Sequence, residues 1–115
     1  MLTVLDYENV LDERDQKKRI EIVLTDTYNE YEQQSAFCCY IEDHISFPFK
    51  ARIRGERKSE IFTVLGFTSV EPHRVVCKIN LNGSKSRMPL TEIDPIEKDS
   101  VNSIVIDDYL EFLGL

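Results

Sequence analysis

Around Phe47-Pro48-Phe49 the hydrophobic period of this chain changes from four residues to two, which divides it into a helical part and a sheet part. Upstream, Phe37, Ile41 and Ile45 recur every four residues and share one helix face, with Tyr40 and His44 on the neighbouring strip. Downstream, Phe49, Ala51 and Ile53 alternate with Lys50, Arg52 and Arg54. A proline disfavours helical geometry in the residue before it, so the helix ends at the boundary.

The helical part divides again. Ile20, Val23 and Leu24 suit an amphipathic helix from Leu11 to about Thr25, although Ile20-Glu21-Ile22-Val23 alone also fits a strand. Thr27-Tyr28-Asn29-Glu30 matches a capping box, in which a Thr oxygen and a Glu carboxylate satisfy the first amides of a helix running from near Tyr28 to Ile45. In the sheet part, Ile61 to Phe67 and Arg74 to Leu81 read as strands. Asn82-Gly83 is a strong hairpin turn signal, and a fourth strand follows through Arg87. Met88 to Ile96 reads as a strand end, a helical turn and a last short strand. In the tail, Val101, Val105, Tyr109 and Phe112 have helical spacing, with Asp99 or Ser100 placed to cap and Gly114 to stop the helix. The expected fold is α+β: a small five-stranded antiparallel SH3-like barrel, flanked by two N-terminal helices and one C-terminal helix. The helices cover about 11–45, the barrel about 48–97 and the last helix about 100–113.

With 115 residues and 42% hydrophobic content, the chain supports a single domain, 1–115. It has no apolar run long enough to span a bilayer, and Met1 to Asp6 is acidic where a signal peptide would be basic. Its three cysteines are odd in number and include the vicinal pair Cys38-Cys39, which does not read as a disulfide framework. A reducing cytoplasm is the expected location.

The formal net charge of −7 conceals a partition. Residues 20–49 hold Glu21, Asp26, Glu30, Glu32, Glu42 and Asp43 and no Lys or Arg. Residues 50–90 are rich in bases, among them Lys50, Arg52, Arg54, Arg57, Lys58, Lys78, Lys85 and Arg87, and residues 91–115 are acidic again. The simplest expectation is that the acidic flanking helices dock on the basic module and the charges balance across that contact. Glu42 and Asp43 are adjacent acids with no cation nearby in sequence, an arrangement that gains from a bound cation.

The stretch from Ala36 to Ala51 carries an aromatic run, then Tyr40-Ile41-Glu42-Asp43, then Phe47-Pro48-Phe49-Lys50-Ala51. It resembles the signature of the small calcium-binding family described from cyanobacteria, the CcbP-like proteins. The likeness runs from about Arg19 to about Phe112. It is also carried by Arg19-Ile20-Glu21, by Val64-Leu65-Gly66-Phe67 and by Met88 to Ile96. This chain has Phe37-Cys38-Cys39-Tyr40 where the family tends to have a Trp and consecutive Tyr. The resemblance implies calcium-ion binding without catalysis, as an intracellular buffer or sensor, with Asp43 and Glu42 as the residues it carries over.

Calcium takes roughly six to eight oxygens. No twelve-residue calcium loop is present, so a site would draw on separate parts of the chain. Beyond Glu42 and Asp43, charge crowding adds two groups: Glu92, Asp94 and Glu97 near the end of the barrel, and Asp107, Asp108 and Glu111 in the final helix. The candidate ligands are therefore Asp43, Glu42, Glu92, Asp94, Asp108 and Glu111. Cysteine and histidine spacings do not match a zinc site, and neither a phosphate loop nor a nucleophile elbow occurs, so an enzyme is not expected. Lys50, Arg52, Arg54 and Arg57-Lys58 could meet phosphates, but net charge and the lack of an aromatic stacking motif weigh against nucleic acid as a partner. The alternative function is an acidic protein-interaction module, of inhibitor or immunity type, with the same fold and no ion; its protein partner is unidentified.

Overall fold

A computed structural model describes residues 10–115, and the expectation for Met1 to Asp6 lies outside them. A 3-10 turn at Val10–Asp12 leads to helix α1 (Gln16–Val23) and helix α2 (Glu30–His44). Strands β1 (Phe49–Ile53), β2 (Phe62–Glu71), β3 (Arg74–Leu81), β4 (Ser84–Pro89) and β5 (Ile93–Pro95) follow, with a second 3-10 turn at Leu90–Glu92. Helix α3 (Val101–Leu113) closes the chain.

The first helix starts later than its apolar pattern predicts. The Glu13 carboxylate accepts the Asp15 amide at 3.1 Å, a local bond that competes with helix formation, and Asp15 is extended. The capping box of α2 is also displaced by two residues. Asn29 Oδ1 accepts the Glu32 amide at 2.8 Å, and Glu32 Oε1 reaches back to the Tyr28 amide at 2.7 Å. Thr27 instead donates its hydroxyl to the Leu24 carbonyl, ending the turn before. In α3 the Ser100 hydroxyl accepts the Ser103 amide and Gly114 takes the left-handed conformation with φ 78°, as its cap and stop residues predict.

All strand pairs are antiparallel, in the order β4-β3-β2-β1-β5. Asn82 and Gly83, both at positive φ, make the β3–β4 turn. Register shifts between Val64 and Gly66 and between Phe67 and Ser69 bulge β2. The expected closure into a barrel is not found: β4 and β5 are the two edges, and the sheet stays open. β5 pairs with β1 through Ile93, Asp94 and Pro95, and no register joins its other edge to β4.

One face of the sheet is apolar. Phe62, Val64, Val75, Cys77 and Ile79 share a core with Phe37, Tyr40 and Ile41 of α2 and Val105, Ile106 and Tyr109 of α3. Phe37 stacks on Phe112 with ring centroids 4.2 Å apart and meets Tyr40 edge-on at 5.7 Å. Because strand side chains alternate, the bases Lys50, Arg52, Lys78, Lys85 and Arg87 fall on the other face, away from the helices. The acids of 20–49 therefore do not neutralise these bases, and the expected balance between module and flanks is confined to Arg54, which meets Asp94 and lies near Asp107 of the last helix. Among the described residues the ion pairs are Arg19–Asp108, Arg54–Asp94 and Lys98–Asp94, and none uses an acid from 20–49.

The three helices meet at one buried carboxylate. Arg19 of α1 donates from Nε to Asp108 Oδ2 at 2.8 Å and from Nη2 to Oδ1 at 2.9 Å. The Tyr40 hydroxyl of α2 donates to Oδ2 at 2.8 Å, and Gln16 Nε2 to Oδ1 at 3.2 Å. The remaining guanidinium nitrogen donates to the Glu13 carbonyl at 2.9 Å. Asp108 is 0% exposed and Arg19 8%. Its bond to Asp108 holds the Arg19 pKa above its ordinary value against the effect of burial, and burial together with the bond to Asp108 pushes the Tyr40 phenol upward.

Two predictions follow from this packing. Arg19→Leu leaves Asp108 buried without its cation and should cost about 3–5 kcal/mol in urea unfolding, whereas Arg19→Leu with Asp108→Leu should recover part of that loss. The second concerns alkali. Burial pushes the Cys77 thiol up to about 12, above its unfolded value of about 8.5, and Tyr40 lies above its unfolded value of about 10. A raised folded pKa gives stability that is complete below the unfolded value and lost as pH rises through the folded one. The melting temperature should therefore fall from about pH 8.5 upward, and Cys77→Val should reduce the part of the fall that precedes pH 10, leaving the share of Cys38 and Cys39, whose thiols are also held above the ordinary value.

Candidate metal centre

Glu42 and Asp43 occupy the last turn of α2, and both are exposed. The unpaired carbonyls at a helix C-terminus carry partial negative charge, so this turn concentrates acceptor oxygens. Neither carboxylate forms an ion pair with the described residues. Cys39 is exposed one turn before Asp43, and burial, Asp43 and Glu42 all hold its thiol above the ordinary value. His44, next in sequence, makes a 2.9 Å bond between Nδ1 and the Tyr40 carbonyl, with its ring 5.1 Å from that of Tyr40. The chain leaving this turn is fixed to α3 by Asn102, which accepts the Ser46 amide and donates to the Ser46 carbonyl, each at 2.9 Å.

The other sequence-predicted ligands lie elsewhere. Asp94 on β5 is paired with Lys98 and lies 3.8 Å from Arg54, whose guanidinium also donates to the carbonyls of Thr91 and Ile93. Asp107 belongs to this neighbourhood: loss of hydration raises its pKa, Arg54 and Lys98 oppose that rise, and Asp94 adds to it. Glu92 and Glu111 are exposed. Asp108 points into the protein as the hub of the three helices, while Glu111, one turn on, stays in solvent. Among the described residues no three His, Cys, Asp or Glu side chains come together as a metal site. The six candidates are thus dispersed, and only Glu42 and Asp43 stand side by side without a cation.

Charge crowding alone places Asp108 in a ligand group, and the structure removes it. The signal that separates it was present: Val105, Tyr109 and Phe112 define the buried face of α3, and Asp108 lies on it one turn after Val105. Arg19 was likewise a residue of the resemblance with no role attached. Its position one turn before Val23, on the buried side of α1, marks it as the counter-ion.

Comparison with known proteins adds what the geometry leaves open. A family model described as calcium binding, that of CcbP, matches residues 17–112. Among solved structures, Anabaena CcbP superposes with a TM-score of 0.68 at 25% identity, covering 88% of this chain and 92% of its own. A calcium-binding protein in its calcium-binding form shares the fold with a TM-score of 0.66 at 23% identity, covering 91% of this chain and 94% of its own. A comparison with curated protein sequences finds no match. The family match takes in both helical flanks and the whole sheet, and the chain belongs to the CcbP calcium-binding family.

Proposed function

We propose that this protein binds calcium without catalysing a reaction, as a cytoplasmic buffer or sensor, with Asp43 as the principal ligand and Glu42 beside it. The observation that carries this reading is the exposed Glu42-Asp43 pair at the negative end of α2, which forms no ion pair with the described residues and lies inside the segment matched by the family model. Hard carboxylate oxygens suit calcium, and two adjacent acids can offer up to four of its six to eight ligands. Asp94 and Asp108 are held by Lys98, Arg54 and Arg19, so this reading leaves the remaining positions to backbone carbonyls and water. Sites with few charged ligands bind weakly, and a Kd on the order of 10⁻⁴–10⁻³ M is expected.

A ligand that binds only the folded state stabilises it, by about 1.4 kcal/mol when free calcium is tenfold above Kd. The melting temperature of chelator-stripped protein should rise with calcium, and calorimetric titration should give saturable heat in excess magnesium. Asp43→Asn should abolish most of the calcium-dependent rise while leaving the calcium-free melt unchanged, because the side chain is exposed and makes no ion pair with the described residues. A variant stabilised as much as the parent would move the site away from α2. The absence of both heat and a melting shift would favour the acidic interaction module instead.

A further inference from the structure

The opposite face of the molecule carries an equally unbalanced charge. Lys78 on β3 pairs with Arg87 on β4, and Asn80 pairs with Lys85, so three bases stand together on the outer face of the hairpin. Like charges directly opposite one another destabilise a sheet, and no described acid forms an ion pair with any of the three. Lys50 extends the basic face onto β1, held to the Thr63 hydroxyl at 2.8 Å, and Arg52 ends it opposite Asp94 of β5. On this outer face of the central strands, Gly66 lies opposite Lys78, and a side chain built there would meet nothing within 4 Å. A shallow hollow of about 550 Å³ opens beside it, lined by Thr68, Lys78, Lys85, Ser86 and Arg87.

The complementary surface is the solvent side of α2. Tyr31, Glu32, Cys39, Glu42 and Asp43 are exposed along it, continuous with Tyr28, which is 86% exposed, and it carries no base. From Glu32 to Asp43 it is about 16 Å long at 1.5 Å per residue. The basic face from β4 to β1 is about 14 Å wide at 4.8 Å per strand. The two surfaces match in length and oppose in charge, yet they lie on opposite sides of one molecule because the apolar core is between them. A chain cannot join its own pair. A second copy can.

We propose that the outer face of the sheet, through Lys78, Lys85 and Arg87, docks the acidic side of α2 of a second copy of this chain. Tyr28 and Tyr31 supply aromatic faces for the arginine and lysine heads, and the open space over Gly66 admits the helix. The partner is a second copy because this chain itself holds both complementary surfaces; a free polyanion would meet only one of them, against a net charge of −7. Since Glu42 and Asp43 belong to the docking surface, calcium bound there competes with association, a consequence that rests on the calcium reading above.

Sedimentation velocity in chelator at about 10 mM salt, where the Debye length is roughly 30 Å, tests the contact. The parent protein should gain mass above the monomer with concentration and return to monomer at about 1 M salt. Lys85→Glu with Arg87→Glu should be monomeric, as should Glu42→Lys with Asp43→Lys. These exposed sites leave the core intact, and lysines at a helix C-terminus favour the helix. Mixing the two variants should restore a complex, because each retains the surface the other has lost. A monomeric parent at low salt, or a mixture that stays monomeric, overturns the proposal. Binding of a labelled oligonucleotide to a monomeric parent, lost in Lys85→Glu with Arg87→Glu, would overturn it and assign the face to nucleic acid. Calcium should dissociate the parent complex. If association survives calcium while titration of the monomeric Lys85→Glu, Arg87→Glu variant still gives heat, the contact stands and the competition is refuted. If that titration is silent, the calcium reading alone fails.

Discussion

A single carboxylate joins the three helices. Asp108 on α3 accepts from Arg19 and Gln16 on α1 and from Tyr40 on α2, in a setting where none of its surface is open. An ionised carboxylate in such a place is tolerated only when a cation and hydrogen-bond donors meet both oxygens, and here both oxygens are met twice. The bond directions fix how α1 lies against α2 and α3. Apolar contacts between the same helices would tolerate sliding; a bidentate guanidinium–carboxylate pair does not. The C-terminal part of α2 is placed by this anchor at Tyr40 and by Asn102 holding the chain just beyond its end.

That anchor also explains why the surface charge is left unbalanced. With the helices gathered on the apolar side of an open sheet, the alternation of strand residues sends the bases to the other side. The hydrophobic core then stands between acids and bases that are close in sequence. Electrostatics did not select this arrangement, because exposed ion pairs are worth only about 0–1 kcal/mol, less than burial of one large apolar side chain at about 1.5–3 kcal/mol. Phe37, Tyr40, Ile41 and Val64, all fully buried, therefore decide which faces meet. The charge pattern is a consequence, and it becomes available to an ion or a partner.

Much of the fold is legible in the sequence because it rests on local rules. The alternation from Phe49, the run Arg74–Leu81, the Asn82-Gly83 turn, and the Ser100 and Gly114 caps each depend on a few neighbouring residues, and each stands where its pattern places it. The misreadings are of two kinds. Where two similar local signals compete, as Thr27 and Asn29 do for the cap of α2, sequence does not reveal which oxygen will face the amide. Where the outcome depends on distant elements, local rules are silent: whether β5 closes onto β4 or leaves the sheet open rests on how strands far apart in sequence are placed, and here they stay apart. The balance of acidic and basic segments failed for the same reason, since segment charge carries no information about which face a residue takes.

The candidate site illustrates how much environment decides for one residue type. Asp43, Asp94 and Asp108 look alike as acidic letters in acidic segments. In the folded chain Asp108 is sealed against Arg19, Asp94 is shared between Lys98 and Arg54, and Asp43 faces water with Glu42 at the negative end of a helix. A cation arriving from solvent would have to displace a lysine to reach Asp94 and unfold the helix junction to reach Asp108, whereas at Asp43 it displaces only water. Repulsion between the two neighbouring carboxylates is relieved on binding, so what the isolated pair costs the free protein becomes part of its affinity. The weakness of two ligands and the absence of an ion-pair partner among the described residues act in opposite directions on the same site. A single anchored helix thus supports a closed ionic centre on its inner face and an open one at its end.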